Sequence, residues 1–177
     1  NVDYAFKKKP MSLTYRAHVS NVGWQGAVTD GATAGTTGRG LALEDLKVSI
    51  DSSDYSDGSA VQIDAHVSGI GWQGWETPSA SEGGSTGQGR AVEAVRLRLT
   101  GSLAKDYDVY YRVHASNIGW MAWAKDGEEA GTTGFGRSVE AVQVRLVKKG
   151  DAAPSSDGAN VDYAFKKKPM SLTYRAH

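Results

Sequence analysis

The chain has no cysteine, only four prolines among its 177 residues, and no surplus of charge, since 20 basic side chains are matched by 20 acidic ones. The lack of cysteine excludes disulfides and thiol chemistry. A neutral balance gives no overall field that would draw the chain to nucleic acid or to an acidic membrane. No apolar run approaches the roughly 20 residues that cross a bilayer. We therefore expect neither a nucleic-acid partner nor insertion into a membrane.

Long helical periodicity is also missing, whereas glycine is abundant, at 22 residues. Serine, threonine, valine and tryptophan are well represented as well. This mixture is typical of many short strands joined by tight turns. We predict an all-β protein.

Three blocks of sequence recur at one period. The His of the first block and the Trp that ends it both return at steps of 48 residues, at His18, His66 and His114 and at Trp24, Trp72 and Trp120. A glycine-rich block follows each Trp, at 35–40, 84–89 and 131–136, and an alternating block follows that, at 43–50, 92–99 and 139–146. Agreement over three blocks indicates three copies of one unit, at about 11–58, 59–106 and 107–147.

A fourth copy of the first block begins out of step with the other three. His177 lies 63 residues beyond His114, not 48. The excess falls in 148–169, whose Ala, Pro, Ser, Asp, Gly and Lys content is typical of a linker. Three copies followed by a spacer indicate a closed domain at 1–147 rather than an open solenoid.

Residues 160–177 repeat residues 1–18 letter for letter. This identity is far closer than the similarity among the three internal copies. We infer that whole three-repeat domains are strung in tandem, that 170–177 is the first strand of a following identical domain, and that the parent protein continues in both directions.

The first block alternates apolar and polar residues, with Leu13, Tyr15, Ala17 and Val19 on one side, as in a half-buried strand. The third block also alternates but slips phase after Leu43, and the same slip in the other copies predicts a β-bulge. Two long strands per repeat give six strands with apolar inner faces. We predict a pseudo-threefold β-trefoil, with a three-sheet β-prism as the alternative.

The segment from His18 to Gly26 (His-Val-Ser-Asn-Val-Gly-Trp-Gln-Gly), with 30–40 and 43–48 after it, resembles the clostridial hydrophobic repeat with a conserved tryptophan, the ChW repeat. The resemblance covers all three repeats and recurs at the fourth start. It implies a bacterial protein that is secreted or attached to the cell surface, in the company of adhesion and extracellular hydrolase modules. It implies no catalytic activity and supplies no established binding residues.

Two kinds of tryptophan differ in how regularly they recur. Trp24, Trp72 and Trp120 follow a glycine in every copy, which predicts buried indoles that donate to backbone and anchor each repeat. Trp75 and Trp123 are replaced by alanine in the first repeat, so we expect them at the surface. There they would stack on a sugar ring or pack against a neighbouring domain. The predicted ligand-binding set is Trp72, Gln73, Trp75, Trp120 and Trp123.

The three histidines are also predicted to be structural anchors of their repeats. Outward positions on a closed barrel diverge, so we expect no shared metal ion. Pairing of His and Arg across strands with a glutamate is the preferred interpretation, at Glu44, Glu93 or Glu140.

No Ser/His/Asp order, thiol or glycosidase-like pair of carboxylates stands out, and no site breaks the threefold pattern as an enzyme normally would. We therefore predict no catalysis and no cofactor. Two basic clusters are assigned to the region between domains, at Lys7, Lys8 and Lys9 and at Lys166, Lys167 and Lys168. The preferred interpretation is a solvated linker edge, and the alternative is a basic clasp on an acidic neighbour or a teichoic polymer.

These features predict a non-catalytic tandem-repeat module whose main partner is itself. Head-to-tail domains would build an extracellular fibre or adhesive stalk of a secreted bacterial surface protein. The alternative is a carbohydrate-binding module that tethers a secreted protein to cell wall or plant polysaccharide.

Overall fold

The computed structural model describes residues 11–76 and 81–171. Strands dominate these residues, and one short helix accompanies them. The prediction of an all-β domain made from three repeats is therefore confirmed. Among the described residues there is no helix of the length and apolarity that crossing a bilayer requires.

The elements follow the repeats. The first repeat forms β1 (Leu13–Val19), β2 (Gly23–Trp24), β3 (Val28–Thr29), β4 (Ala34–Gly35) and β5 (Leu43–Ile50). The second forms β6 (Val61–Val67), β7 (Gly71–Trp72), β8 (Ser81–Gly84) and β9 (Val92–Leu99), and α1 (Leu103–Asp106) follows it. The third forms β10 (Tyr107–Ala115), β11 (Gly119–Trp120), β12 (Ala124–Lys125), β13 (Ala130–Thr133) and β14 (Val139–Lys148), and β15 (Phe165–Lys167) comes last.

The two long strands of each repeat pair antiparallel, β1 with β5, β6 with β9 and β10 with β14. Their alternating apolar residues point inward, so that Leu13, Tyr15, Ala17 and Val19 of β1 are all buried. The inner faces of all three repeats join in one hydrophobic core. Burial of these faces supplies the main stabilisation of the fold, because a strand hides every second side chain.

The predicted bulge is confirmed in every repeat. His18 pairs with Asp45 and the next residue, Val19, pairs with Leu43, which leaves Glu44 as the extra residue. The same register shift leaves out Glu93 and Glu140 in the other repeats. An extra residue bends its strand and re-aims a side chain. Here the re-aimed side chain is a glutamate each time.

The glycine-rich block of each repeat crosses to another repeat. β8 of the second repeat pairs with β5 of the first, β13 of the third pairs with β9 of the second, and β4 of the first pairs with β14 of the third. This cyclic exchange closes the three repeats into a ring. It also divides the strands into three five-stranded sheets. The preference for a trefoil over a prism stays a prediction.

A glycine marks each crossing point because the two backbones approach closely. Gly35 has φ +100°, and a Cβ on it would lie 2.7 Å from the Cα of Ala141. Gly131 has φ +115°, and a Cβ there would lie 2.8 Å from the Cα of Ala94. A real side chain does not fit at such a distance. The glycine therefore sets how closely neighbouring repeats join.

The residues predicted to be a linker, 148–169, contain a strand. β15 runs parallel to β13, with Gly131 opposite Phe165 and Thr133 opposite Lys167. The third sheet is thus completed by a segment that comes after the three repeats. Residues 1–10, with Lys7, Lys8 and Lys9, lie outside the described residues, as do 172–177 of the predicted following strand.

Candidate functional site

A cluster of His, Trp and Glu recurs on the outer face of each sheet. His18 lies directly across the hairpin from Trp24, and the ring centroids are 5.4 Å apart in an edge-to-face arrangement. The pairs in the other repeats have the same geometry, at 5.5 Å for His66 with Trp72 and 5.4 Å for His114 with Trp120. Such pairs stabilise beyond the area that they bury.

The bulged glutamate completes each cluster. Glu44 Oε2 lies 3.0 Å from Nδ1 of His18, and the corresponding distances are 3.4 Å to His66 and 3.1 Å to His114. In the third repeat the contact is a hydrogen bond. The predicted pairing of histidine with glutamate across strands is confirmed.

The location of the recurrent tryptophans is a correction. Trp24, Trp72 and Trp120 are half-buried on the outer face, so the prediction of indoles buried in the core is wrong. The reason lies in the register, because each Trp is paired with a His that points outward, and cross-strand partners share a face. Their anchoring role on that outer face stays a prediction.

An arginine covers each of these indoles. The guanidinium carbon lies 4.8 Å from the ring of Trp24 for Arg16, and 5.1 Å from the ring of Trp120 for Arg112. Both arginines come from the first block. Stacking of this kind contributes about 0.5–1 kcal/mol at exposed sites.

In the second repeat the arginine that stacks on the indole comes from a different strand. Asp64 occupies the position of the arginine, and Arg96 of the partner strand stacks 4.7 Å from Trp72. Arg96 also pairs with the fully buried Asp64 at 2.7 Å. The ion pair holds the guanidinium over the ring. All three indoles therefore carry a guanidinium, although in the second repeat the arginine comes from the partner strand.

Trp75 and Trp123 extend these stacks. Arg96 lies between Trp72 and Trp75, at 4.7 Å and 4.9 Å, and Arg98 lies 4.1 Å from Trp75. Arg112 lies 4.9 Å from Trp123. Both tryptophans are half-buried, so much of each ring is already engaged by the protein itself.

Trp123 has a further partner in the segment that follows the repeats. Its Nε1–H donates to the carbonyl of Ser155 at 2.9 Å. The predicted sugar-stacking surface is therefore partly occupied in the third repeat.

A shallow groove of about 700 Å³ runs beside Trp72. Its lining comprises Asp45, Ile70, Trp72, Gln73, Glu76, Glu82 and Gly84. Gln73 and Glu76 are exposed, and Ile70 is 53% exposed, which is unusual for so large an apolar side chain. Two residues of the predicted ligand-binding set thus meet carboxylates that the sequence interpretation did not include.

Asp45 is the unusual carboxyl of this groove. It is 2% exposed, and burial together with the nearby Glu82 carboxyl raises its pKa to about 7. The other repeats have Ala94 and Ala141 at this position. A buried carboxyl at this position is therefore specific to the seam between the first two repeats.

The described residues contain no group of three or more His, Asp or Glu arranged to hold a metal ion. The three histidines lie on three different sheets, each with its own glutamate. Lys166, Lys167 and Lys168 are exposed on and beside β15.

A family model described as Clostridial hydrophobic W (ChW) matches residues 18–51, 66–101 and 114–148, which together make up more than half of the chain. Each match begins at the histidine of a cluster and includes its Trp and Glu. Neither the curated proteins nor the solved structures provide a match. ChW repeats occur in bacterial proteins. The chain therefore belongs to the clostridial hydrophobic W family and carries three of its repeats.

Proposed function

We propose that this tandem-repeat module is a building unit of an extracellular bacterial fibre or adhesive stalk, in which near-identical domains follow one another head to tail. The observation that carries the proposal is the return of residues 1–18 as 160–177, with part of the returned segment bound to the domain before it. A domain closed by cyclic strand exchange has a defined shape, as a structural unit requires.

The proposed role needs no catalytic centre. The ionisable side chains of the three clusters are engaged with one another, as pairs of His with Glu and as Arg on Trp. Their threefold recurrence supports a structural role, since an enzyme would normally break the threefold pattern at one site.

Electron microscopy of the native parent protein tests this function. We expect size-exclusion chromatography to give a large elongated species, and negative-stain images to show rods with a regular repeat of one domain. Images that show only isolated, monomeric domains would contradict the proposal.

The groove beside Trp72 supports a second candidate, a carbohydrate-binding module. Trp72 is half-buried, and the part of its indole that stays exposed would contact a sugar ring, while the carboxylates and Gln73 supply acceptors and donors for hydroxyl groups. Weak sites repeated along a fibre would gain avidity, so the two functions are compatible.

A matched pair of variants tests the carbohydrate role. Trp72→Ala should reduce binding on a glycan array at least tenfold, whereas Trp24→Ala should leave it unchanged. Trp24 has the same histidine and arginine contacts but does not line this groove, so both variants lose a similar structural interaction. Binding that survives Trp72→Ala combined with Trp75→Ala would rule out this site.

A further inference from the structure

The segment after the third repeat is bound along its length to that repeat. We call residues 160–169 the docked decapeptide. The N–H of Asn160 donates to the carbonyl of Trp120 at 2.8 Å, and the N–H of Lys168 donates to Thr133 at 2.9 Å. Between them, the carbonyls of Tyr163 and Ala164 accept from Ala122 at 3.1 Å and Gly131 at 2.9 Å. Main-chain bonds of this kind are the basis of peptide binding by strand addition.

Side chains fix the register of the docked decapeptide. The amide of Asn160 also donates to the carbonyl of Ile118 at 3.0 Å. A Cβ on the adjacent Gly119 would collide with that amide, so the asparagine fills its site closely. Val161 and Tyr163 are half-buried against the hydrophobic core. The contact therefore has both polar anchors and an apolar part.

Among the described residues, the third repeat differs from the other two in what accepts the N–H of the glycine at the crossing point. In the first repeat the side chain of Gln25 accepts from the N–H of Gly35 at 2.8 Å, and in the second Gln73 accepts from Gly84 at 3.1 Å. Each glutamine therefore accepts the hydrogen bond from the backbone N–H of the glycine in its own repeat.

The third repeat has Met121 in place of the glutamine. Met121 is fully buried in the core, and the N–H of the equivalent glycine, Gly131, is left to an outside acceptor. That acceptor is the carbonyl of Ala164. The change from Gln to Met thus opens one backbone donor, the N–H of Gly131, at the site where the decapeptide binds.

The same ten residues, Asn-Val-Asp-Tyr-Ala-Phe-Lys-Lys-Lys-Pro, open the chain at 1–10. We propose that the third-repeat edge is a receptor for this decapeptide, and that each copy of it binds the edge of another copy of this module, the one that comes before it in the array. The proposal deepens the fibre function and rests on it for the order of the domains. The junction between domains is then a bound strand and not a free linker.

The length of chain left between two domains supports this inference. Lys168 is held to Thr133, and Leu172 corresponds in sequence to Leu13, the first residue of β1. Three residues lie between Lys168 and Leu172. Four extended steps span at most about 14 Å. A domain attached so closely to its predecessor has few orientations open to it, so the array is expected to be stiff.

The test starts from the full chain, folded before it is altered. A protease site is placed between Ala152 and Ala153, in an exposed stretch, and the purified protein is then cut. We expect the fragment that carries 160–177 to co-elute with the domain after cutting. An excess of acetylated synthetic peptide with the sequence of 1–10 should displace it, and a fluorescent form should bind saturably.

Two controls make the outcome specific. A peptide with Lys9→Pro lacks the N–H that corresponds to Lys168 and should bind at least tenfold more weakly. Met121→Gln in the cut protein should weaken binding of the unaltered peptide at least tenfold. The new glutamine would accept from the N–H of Gly131, as Gln25 and Gln73 accept from the equivalent glycines. If that variant does not fold, the peptide control alone decides, since it leaves the protein unchanged.

The proposal is overturned if the fragment dissociates freely and the peptide does not bind, or if the Lys9→Pro peptide binds as well as the original. Its failure is separable from failure of the fibre function. Rods in electron microscopy without peptide binding refute the receptor alone, whereas peptide binding with only isolated native domains refutes the fibre.

Discussion

Replacing Gly35 with alanine should lower the free energy of unfolding by about 3–5 kcal/mol. Gly35 lies where β4 of the first repeat crosses to β14 of the third, at φ +100°. An added Cβ would overlap the carbonyl oxygen of Glu140 and lie 2.7 Å from the Cα of Ala141, both of which are backbone atoms that cannot rotate away. The change should therefore separate the two strands that close the ring. Chemical denaturation monitored by tryptophan fluorescence measures the effect.

Gly38→Ala is the matched control. Gly38 lies in the same loop with a positive φ of 72°, but a Cβ there meets nothing within 4 Å. Gly38→Ala should lower the free energy of unfolding by only about 1 kcal/mol, which is the cost of a positive φ for alanine. Equal losses in the two variants would show that close approach of the backbones does not matter for closure.

Asp45→Ala should make the protein more stable at pH 8 and change its response to pH. Burial, and then the neighbouring Glu82, raises the pKa of Asp45 to about 7, above the ordinary value of 3.8. As pH rises from about 4 to 7, the unfolded chain loses this proton while the folded protein keeps it. The free energy of unfolding therefore falls by an amount on the order of 1–4 kcal/mol across that window, and it levels off above it.

The variant has a precedent within the chain, because the second and third repeats have Ala94 and Ala141 at the equivalent position. Its free energy of unfolding should decline less between pH 4 and pH 8 than that of the original protein. Asp151→Ala, at an exposed site, should leave the decline unchanged. An unaltered decline in Asp45→Ala would contradict the assignment.

Local pattern was enough to predict the two long strands of each repeat and the bulges. Alternation over residues 13–19 predicts which side chains face the core. The phase slip at Glu44 predicts a β-bulge, because Leu43 and Leu46 on either side of it must both point inward. The pairing of His18 with Glu44 then follows from register. These predictions succeeded because side chains a few residues apart, or directly across a strand pair, decide them.

The tryptophans show where that reasoning fails. A residue that recurs after a glycine in each copy is easily taken for core, but Trp24 shares the face of His18, and that face is turned outward. The signal was available, since the outward direction of the histidine was already part of the prediction. What was missing was the pairing of the short strand β2 with β1.

Contacts between repeats could not be predicted from the sequence of one repeat. The crossing of β4 to β14 joins residues more than a hundred positions apart. The departure at Met121 was visible as a break in the pattern, yet its meaning depends on a segment that binds from outside the repeat. The Gly, Pro and Ser content of 148–169 predicted a linker. Composition does not show that Asn160 and Tyr163 form hydrogen bonds with the third repeat.

The stiffness of one junction can be measured directly. In a chain of two consecutive domains, Lys105→Cys and the same change in the next domain give two unique sites for spin labels, since the protein has no other cysteine. Electron–electron double resonance should give a narrow distance distribution, which broadens when Met121 of the first domain is changed to Gln. A broad distribution that Met121→Gln does not alter would show that successive domains are joined by a free linker.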